Sequence, residues 1–175
     1  VAPISLLHEV LSPKGFNASQ IRDIYRSLSS SQSGKRFFST EWEVLRDREY
    51  LWIQKKDSSP LIPELIIEEI ERTPSFVIPR DKHIACLDAD KLNHPLTIRK
   101  WERGDKFIPL GMNGKKKVSD YLTDKKFSLF QKENQYVVCS GEDIVWLVNE
   151  RTDHRYRITD STQRVLLIKI KKDGQ

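Results

Sequence analysis

The chain has 175 residues, a length that suits one domain or two small ones with a buried core. Its net charge is +5, 31% of its residues are charged and 38% are hydrophobic. Short apolar segments recur along the whole length, which excludes a disordered chain. Apolar runs stay well below the roughly 20 residues of a transmembrane helix, so we expect no membrane association through such a helix.

Two helices are predicted near the start. The segment "ISLLHEVL" is typical of a short helix that ends before Pro13. In "GFNASQIRDIYRSLSSSQSGK", Asn17 and Gln20 have the spacing of a capping box. The apolar residues that follow at helical spacing predict one buried face, formed by Ile21, Ile24, Tyr25 and Leu28.

Strands dominate the rest of the prediction. In "RFFSTEWEVLRDREYLWIQKK", Trp42, Val44, Tyr50 and Trp52 alternate around "RDRE" and predict a β-hairpin. The segment "PELIIEEIER" fits a short amphipathic helix or an irregular strand, and "HIACLDADKL" fits a strand that leaves an exposed acidic turn. We predict a hairpin in "QYVVCSGEDIVWLVNE" with its turn at residues 140–143, then strands at "RYRIT" and "RVLLIKIKK", the last buried on both faces.

These elements predict an α+β fold in two parts. We expect a small helical domain with a β-hairpin at residues 1–75. A compact, β-rich, sandwich-like domain is expected at residues 76–175.

The positive charge is concentrated in one window. Between Arg99 and Lys132 there are ten basic and four acidic residues, a net charge of +6, so the remaining residues sum to about −1. Such a confined positive field is typical of a polyanion site. A solvated lysine loop without a partner is the alternative reading of the same pattern.

The segment "GDKFIPLGMNGKKKVSDYLTDKK" lies at the centre of this window. It does not fit a P-loop, because Gly111 and Gly114 are only three residues apart and Lys115 is followed by lysine. Two glycines permit a tight turn that presents Lys115, Lys116 and Lys117 together. "VSDYLTDKK" predicts a short helix capped at Ser119, and the interleaved aromatic residues fit either base stacking or a core.

Catalytic and metal-binding patterns are not found in the sequence. It contains no G-x-S-x-G, and its four histidines do not form an i, i+4 pair. Cys86 and Cys139 lie far apart, which predicts two reduced thiols in a cytoplasmic protein. Asp105, Asp120 and Asp124 are interpreted as counter-charges to the lysines. We therefore predict no catalytic, cofactor or metal site in this chain.

Two stretches, "LTIRKWERGDKFIPLGMNGKKKVSDYLTDKK" and "DIVWLVNERTDHRYRIT", resemble the C-terminal substrate-binding region of tRNA(Ile)-lysidine synthetases. "GFNASQIRDIYRSLSSSQSGKRFF" and "EVLRDREYLWI" resemble the helical domain that precedes it. The positions that match the family pattern are Arg99, Gly104 to Phe107, Pro109 to Met112, Lys116 to Tyr121, Ile144 to Val148, Arg151, Asp153 and Arg155.

The resemblance implies the C-terminal part of an enzyme that attaches lysine to the wobble cytidine of an isoleucine tRNA with a CAU anticodon. In the family, ATP and Mg²⁺ act in an upstream PP-loop domain with an S-G-G-x-D-S motif, which this sequence lacks. The fragment alone is then expected to be inactive and to bind the acceptor-stem region of the tRNA. The oligomeric state stays open, with a dimer as one candidate.

We predict tRNA contacts at ten basic residues: Lys115, Lys116, Lys117, Arg99, Arg103, Lys106, Lys125, Lys126, Arg151 and Arg155. Arg151 and Arg155 rank lower, since either could be a structural partner of Asp153. Many relatives carry Arg where this chain has Lys106 or Lys132, and lysine lacks the two-pronged geometry of arginine. A non-catalytic module that docks a protein partner is the alternative function, and an enzyme acting on a small phosphorylated substrate is a further one.

Overall fold

The computed structural model describes residues 3–56 and 62–172. The chain divides into two compact units. The first comprises Val1–Pro60 with Ser128–Phe130, and the second comprises Leu61–Phe127 with Gln131–Gln175. The expected domain boundary after residue 75 stays a prediction.

The first unit begins with two helices, α1 (Pro3–Leu11) and α2 (Ala18–Ser27). The predicted capping box is present, because the Asn17 side chain accepts from the backbone N–H of Gln20 at 2.9 Å and the Gln20 side chain accepts from that of Asn17 at 3.0 Å. Ile21 and Ile24 are fully buried, as predicted. The predicted face is narrower than expected, since Tyr25 and Leu28 are exposed.

A three-stranded antiparallel meander completes this unit: β1 (Lys35–Phe38), β2 (Trp42–Asp47) and β3 (Tyr50–Lys55). The hairpin predicted around "RDRE" is confirmed, with Asp47 opposite Tyr50 and a two-residue turn between them. Arg48 takes a left-handed conformation in that turn, with φ 53°. Strand β1 was not predicted. The core of the unit lies between the helices and the meander, where Leu11, Ile21, Ile24 and Val44 are fully buried.

The second unit is built mostly from antiparallel strands. In chain order the elements after residue 62 are β4 (Leu65–Glu71), β5 (Ala85–Asp88), β6 (Leu96–Lys100), β7 (Lys106–Phe107), β8 (Lys116–Lys117), α3 (Val118–Asp124), α4 (Leu129–Glu133), β9 (Tyr136–Ser140), β10 (Asp143–Leu147), β11 (Arg151–Thr152) and β12 (Arg164–Ile170). The start of α4, up to Phe130, is grouped with the first unit. One sheet has the order β4-β12-β5, the other has the order β11-β10-β9-β6, and β7 and β8 form a separate ribbon.

The two larger sheets share one apolar core, which gives the unit its sandwich-like character. Leu87 and Ile168 enter it from one sheet, and Val138 and Trp146 enter it from the other. Strand β12 is central in its sheet, which explains why its Val-Leu-Leu-Ile sequence does not alternate simply. The α+β class is confirmed.

Three local predictions need correction. "PELIIEEIER" forms the regular strand β4, which pairs with β12 over its whole length. "RYRIT" is not a strand, because a 3-10 turn spans His154–Tyr156 and is capped by the Asp153 carboxylate. The acidic turn after β5 is only partly exposed, since Asp88 is buried and accepts a hydrogen bond from Thr162 at 2.8 Å.

Candidate nucleic-acid interface

The β7–β8 ribbon brings like charges together. Lys106 lies directly opposite Lys117 across the antiparallel pair, and both side chains are exposed. Directly opposed side chains have Cβ atoms about 4.5–5.5 Å apart, and like charges at such positions are destabilising. The neighbouring position on β7, Phe107, is fully buried and packs against the Tyr121 ring, with 5.5 Å between centroids. The ribbon is therefore anchored on one side and presents opposed ammonium groups on the other.

The loop between the ribbon strands is held by hydrogen bonds to the segment after β10. A turn closes from the Met112 N–H to the Pro109 carbonyl at 2.9 Å, with Gly111 in the left-handed region at φ 89°. The Leu110 N–H donates to the Thr152 carbonyl at 2.9 Å, and the Gly111 N–H donates to Nδ1 of His154 at 3.1 Å. The tight turn predicted at Gly111 is present, whereas Gly114 does not have a positive φ.

Helix α3 follows β8 directly. Its N-cap residue is Lys117, without a side-chain capping bond, so the predicted cap at Ser119 is wrong. Phe107 and Tyr121 are buried, and Trp101 and Phe127 pack partly buried against the same cluster. The aromatic residues of this window therefore serve as core, which was one of the two readings of the sequence.

Four of the predicted contact residues are exposed and have neither an ion pair nor a ring contact within residues 3–56 and 62–172: Arg103, Lys106, Lys115 and Lys117. Lys116 differs, because its ammonium group pairs with Asp124. Lys125 is exposed with its ammonium group 5.8 Å from the centroid of the Tyr121 ring. Lys126 is exposed at the end of the helix, with φ 58°.

Arg99 is held by Asp105 through two hydrogen bonds of 2.8 and 3.0 Å. Burial alone would raise the pKa of Asp105, but hydrogen bonds from Arg99 and from the Glu102 N–H, with the charge of Arg99, lower it overall. The Asp105 carbonyl also accepts from the Val118 N–H at 2.9 Å. Arg99 therefore braces the loop before β7 with its guanidinium already engaged.

Arg155 has a structural partner as well. Its guanidinium donates twice, at 3.0 Å each, to Asp153, whose side chain is fully buried. The same carboxylate accepts from the Ile108 N–H at 2.8 Å and so ties the loop to this segment. Arg151 is placed differently, because its guanidinium lies 6.0 Å from the Tyr121 ring and has no ion pair within the described chain.

The structure thus divides nine of the ten predicted contacts into two sets and leaves Arg151, beside the Tyr121 ring, outside both. We use the name basic surface for the exposed cations of the ribbon, its loop and α3: Arg103, Lys106, Lys115, Lys117, Lys125 and Lys126. Arg99, Lys116 and Arg155 engage carboxylates nearby. Asp153 and His154 anchor the loop, a role that was not predicted because neither residue lies near the loop in the chain. All ten contacts stay predictions.

Neither a metal-binding cluster nor an activated thiol is found in the part of the chain that the structure describes. No set of three or more His, Cys, Asp or Glu side chains is placed to hold a metal ion there. Burial raises the pKa of the Cys86 thiol to about 11 and also raises that of Cys139, so neither is an activated thiolate. No helix of the described residues is long and apolar enough to span a membrane.

Fold and site together define a basic α+β module. Residues 1–56 match the family described as the TilS substrate binding domain, and residues 96–168 match the TilS substrate C-terminal domain. The chain therefore belongs to the TilS family, whose curated relatives are named tRNA(Ile)-lysidine synthase.

Two of these relatives match almost the whole chain. The protein from Bacteroides thetaiotaomicron is 56% identical over 97% of this chain and 40% of its own length. The one from Parabacteroides distasonis is 44% identical over 95% of this chain and 41% of its own length. The chain thus spans about two fifths of the curated relatives that it matches.

A solved structure shares the fold of much of the chain. The crystal structure of a TilS C-terminal domain has a TM-score of 0.54 and 19% sequence identity, and the match covers 63% of this chain and 85% of that one.

Proposed function

We propose that this chain is the tRNA-binding part of a tRNA(Ile)-lysidine synthase, which uses ATP to join lysine to the wobble cytidine of an isoleucine tRNA with a CAU anticodon. ATP, Mg²⁺ and the ligation chemistry then belong to a PP-loop domain of the same polypeptide. The observation that carries the tRNA-binding role is the ribbon, which places Lys106 opposite Lys117 with neither paired to a carboxylate in the described residues. Work on tRNA would place the protein in the cytoplasm.

The basic surface suits phosphate contacts rather than base reading. Lysine ammonium groups act as point charges, and each phosphate that they neutralise releases counterions. Two of the four predicted arginines, Arg99 and Arg155, are already engaged by Asp105 and Asp153, and five of the six residues of the basic surface are lysines. We therefore propose that the basic surface holds the sugar-phosphate backbone of the acceptor stem. The acceptor stem lies far from the anticodon, which leaves the anticodon accessible to the catalytic domain.

The assignment of the acceptor stem is tested with two RNA hairpins, one from the acceptor stem and one from the anticodon stem of the same tRNA. We expect the 175-residue chain to prefer the acceptor hairpin, and the triple substitution Lys106→Ala, Lys115→Ala, Lys117→Ala to remove that binding. The control is Lys169→Ala, an exposed lysine on β12 outside the basic surface. Equal binding of both hairpins would contradict the acceptor-stem assignment, and undiminished binding by the triple variant would move the site elsewhere.

A protein partner is the second candidate function, and one observation favours it. Leu110 and Met112, in the turn beside the lysines, expose 44% and 40% of their surface. A contact made by these apolar side chains would respond little to salt, whereas phosphate binding weakens steeply. The oligomeric state of the chain is tested separately, by sedimentation of the purified protein, with a dimer as one candidate.

A further inference from the structure

A cleft of about 350 Å³ opens in the second unit. This volume falls in the range of about 300–1,000 Å³ that is usual for small-molecule pockets. Part of its wall is apolar and is formed by Ile78, Ile84, Leu110 and Trp146. Its charged groups are Arg80, Asp81, Lys82, Glu150 and Arg151. Apolar walls with a few charged groups match the two parts of a nucleotide, its base and its phosphate.

The cleft is continuous with the basic surface. Leu110 belongs to the ribbon loop, and its N–H donates to the Thr152 carbonyl, which brings that loop against β11 as one wall of the cleft. Arg151 lines the cleft and also lies against the Tyr121 ring, on which the Lys125 ammonium group rests. An RNA backbone held by the basic surface would therefore pass the mouth of the cleft.

The charged groups of the cleft divide into paired and unpaired ones. Lys82 pairs with Glu150 at 3.2 Å. Arg80 and Arg151 have no ion pair within the described part of the chain, so both guanidinium groups remain able to take a phosphate. The Asp81 carboxylate accepts from the His83 N–H at 2.9 Å and retains acceptor capacity for an exocyclic amino group of a base.

We propose that this cleft binds one unpaired nucleotide of the RNA held on the basic surface, with the base against the apolar wall and the phosphate at Arg80 and Arg151. Bases inside a duplex are stacked and paired, so the nucleotide comes from a single-stranded end or bulge next to the bound stem. The proposal rests on the proposed tRNA-binding function and adds a site for single-stranded RNA to it.

The test compares two hairpins with the same stem, one blunt and one with a single-stranded 3′ tail. A base that stacks in a protein pocket typically strengthens binding about 5- to 150-fold. We expect a gain of this order for the tailed hairpin. Leu110→Glu, which adds a negative charge to the cleft wall, should abolish the gain. Met112→Glu carries the same charge change two residues away, at similar exposure and outside the cleft lining, and should retain it.

The outcomes separate the two levels of the account. If both hairpins bind the unchanged protein equally well, or if Met112→Glu removes the gain as fully as Leu110→Glu, the cleft proposal is wrong while the basic surface stands. If neither hairpin binds, the proposed function fails and the cleft proposal falls with it.

Discussion

The cross-strand pair of Lys106 and Lys117 predicts opposite effects of one substitution on stability and on RNA binding. Two unit charges held at the cross-strand Cβ separation of about 5 Å would repel by about 0.8 kcal/mol in bulk water. Like-charge pairs directly opposite in a sheet cost about 0.2–1 kcal/mol, in agreement with that figure. Lys117→Glu replaces this repulsion by attraction. We therefore expect the free energy of unfolding to rise by about 0.5–1 kcal/mol at low salt, and affinity for tRNA to fall.

Urea denaturation at low and at high salt measures the gain in stability, and tRNA titration of the same samples measures the loss of binding. Since the screening length falls from about 8 Å at physiological ionic strength to about 3 Å at 1 M salt, the gain should shrink as salt is added. Lys115→Glu makes the same charge change just outside the ribbon, so it should lower affinity without the same gain in stability. A Lys117→Glu protein that is less stable than the unchanged chain at low salt, or that binds tRNA equally well, would refute the reasoning.

Three further predictions concern the anchors of the site and the half-buried thiol of Cys86. Asp153→Ala should lower the free energy of unfolding by about 2–3 kcal/mol, as measured in urea. The change leaves the backbone N–H groups of Ile108 and Arg155 without their acceptor and removes one of the two carboxylates at the Arg155 guanidinium, the other being Asp143 at 3.3 Å. A loss below 1 kcal/mol would contradict this. The pKa of Asp105 is lowered, so its pair with Arg99 stabilises the fold above about pH 4, and this contribution is lost as pH falls further. Asp105→Asn should therefore make the free energy of unfolding less sensitive to acid. An unchanged dependence on pH would contradict this. The Cys86 pKa of about 11 predicts slow alkylation at pH 8 in the native protein and fast alkylation in urea. The free energy of unfolding should fall as pH rises from about 8.5 towards 11, because the unfolded thiol loses its proton first. Equal alkylation rates in both states would refute this.

Local patterns predicted much of the fold because their physical causes are local. The capping box of α2 needs only Asn17 and Gln20, which are three residues apart. Both predicted hairpins turn within a few residues, and one of them uses Gly141 at φ 59°. The position of the positive charge was likewise visible, since charge along a short loop depends little on the rest of the chain.

The errors have tertiary causes. "RYRIT" alternates like a strand, but the buried Asp153 carboxylate takes the Arg155 N–H and bends the backbone into a 3-10 turn. Strand β4 could not be told from a helix, because its pairing partner β12 begins 93 residues after its last residue. The sequence did not indicate that Arg99 pairs with Asp105, because this pair depends on the path of the loop between the two residues.

The salt dependence of tRNA affinity tests the central claim most directly. For the 175-residue chain, the logarithm of the association constant should fall linearly with the logarithm of salt concentration. The triple substitution Lys106→Ala, Lys115→Ala, Lys117→Ala should make that slope shallower by about 2 to 3, because each lost phosphate contact removes about 0.7–0.9. An affinity that does not change with salt, or a triple variant with the slope of the unchanged protein, would contradict the claim that these lysines hold the RNA backbone.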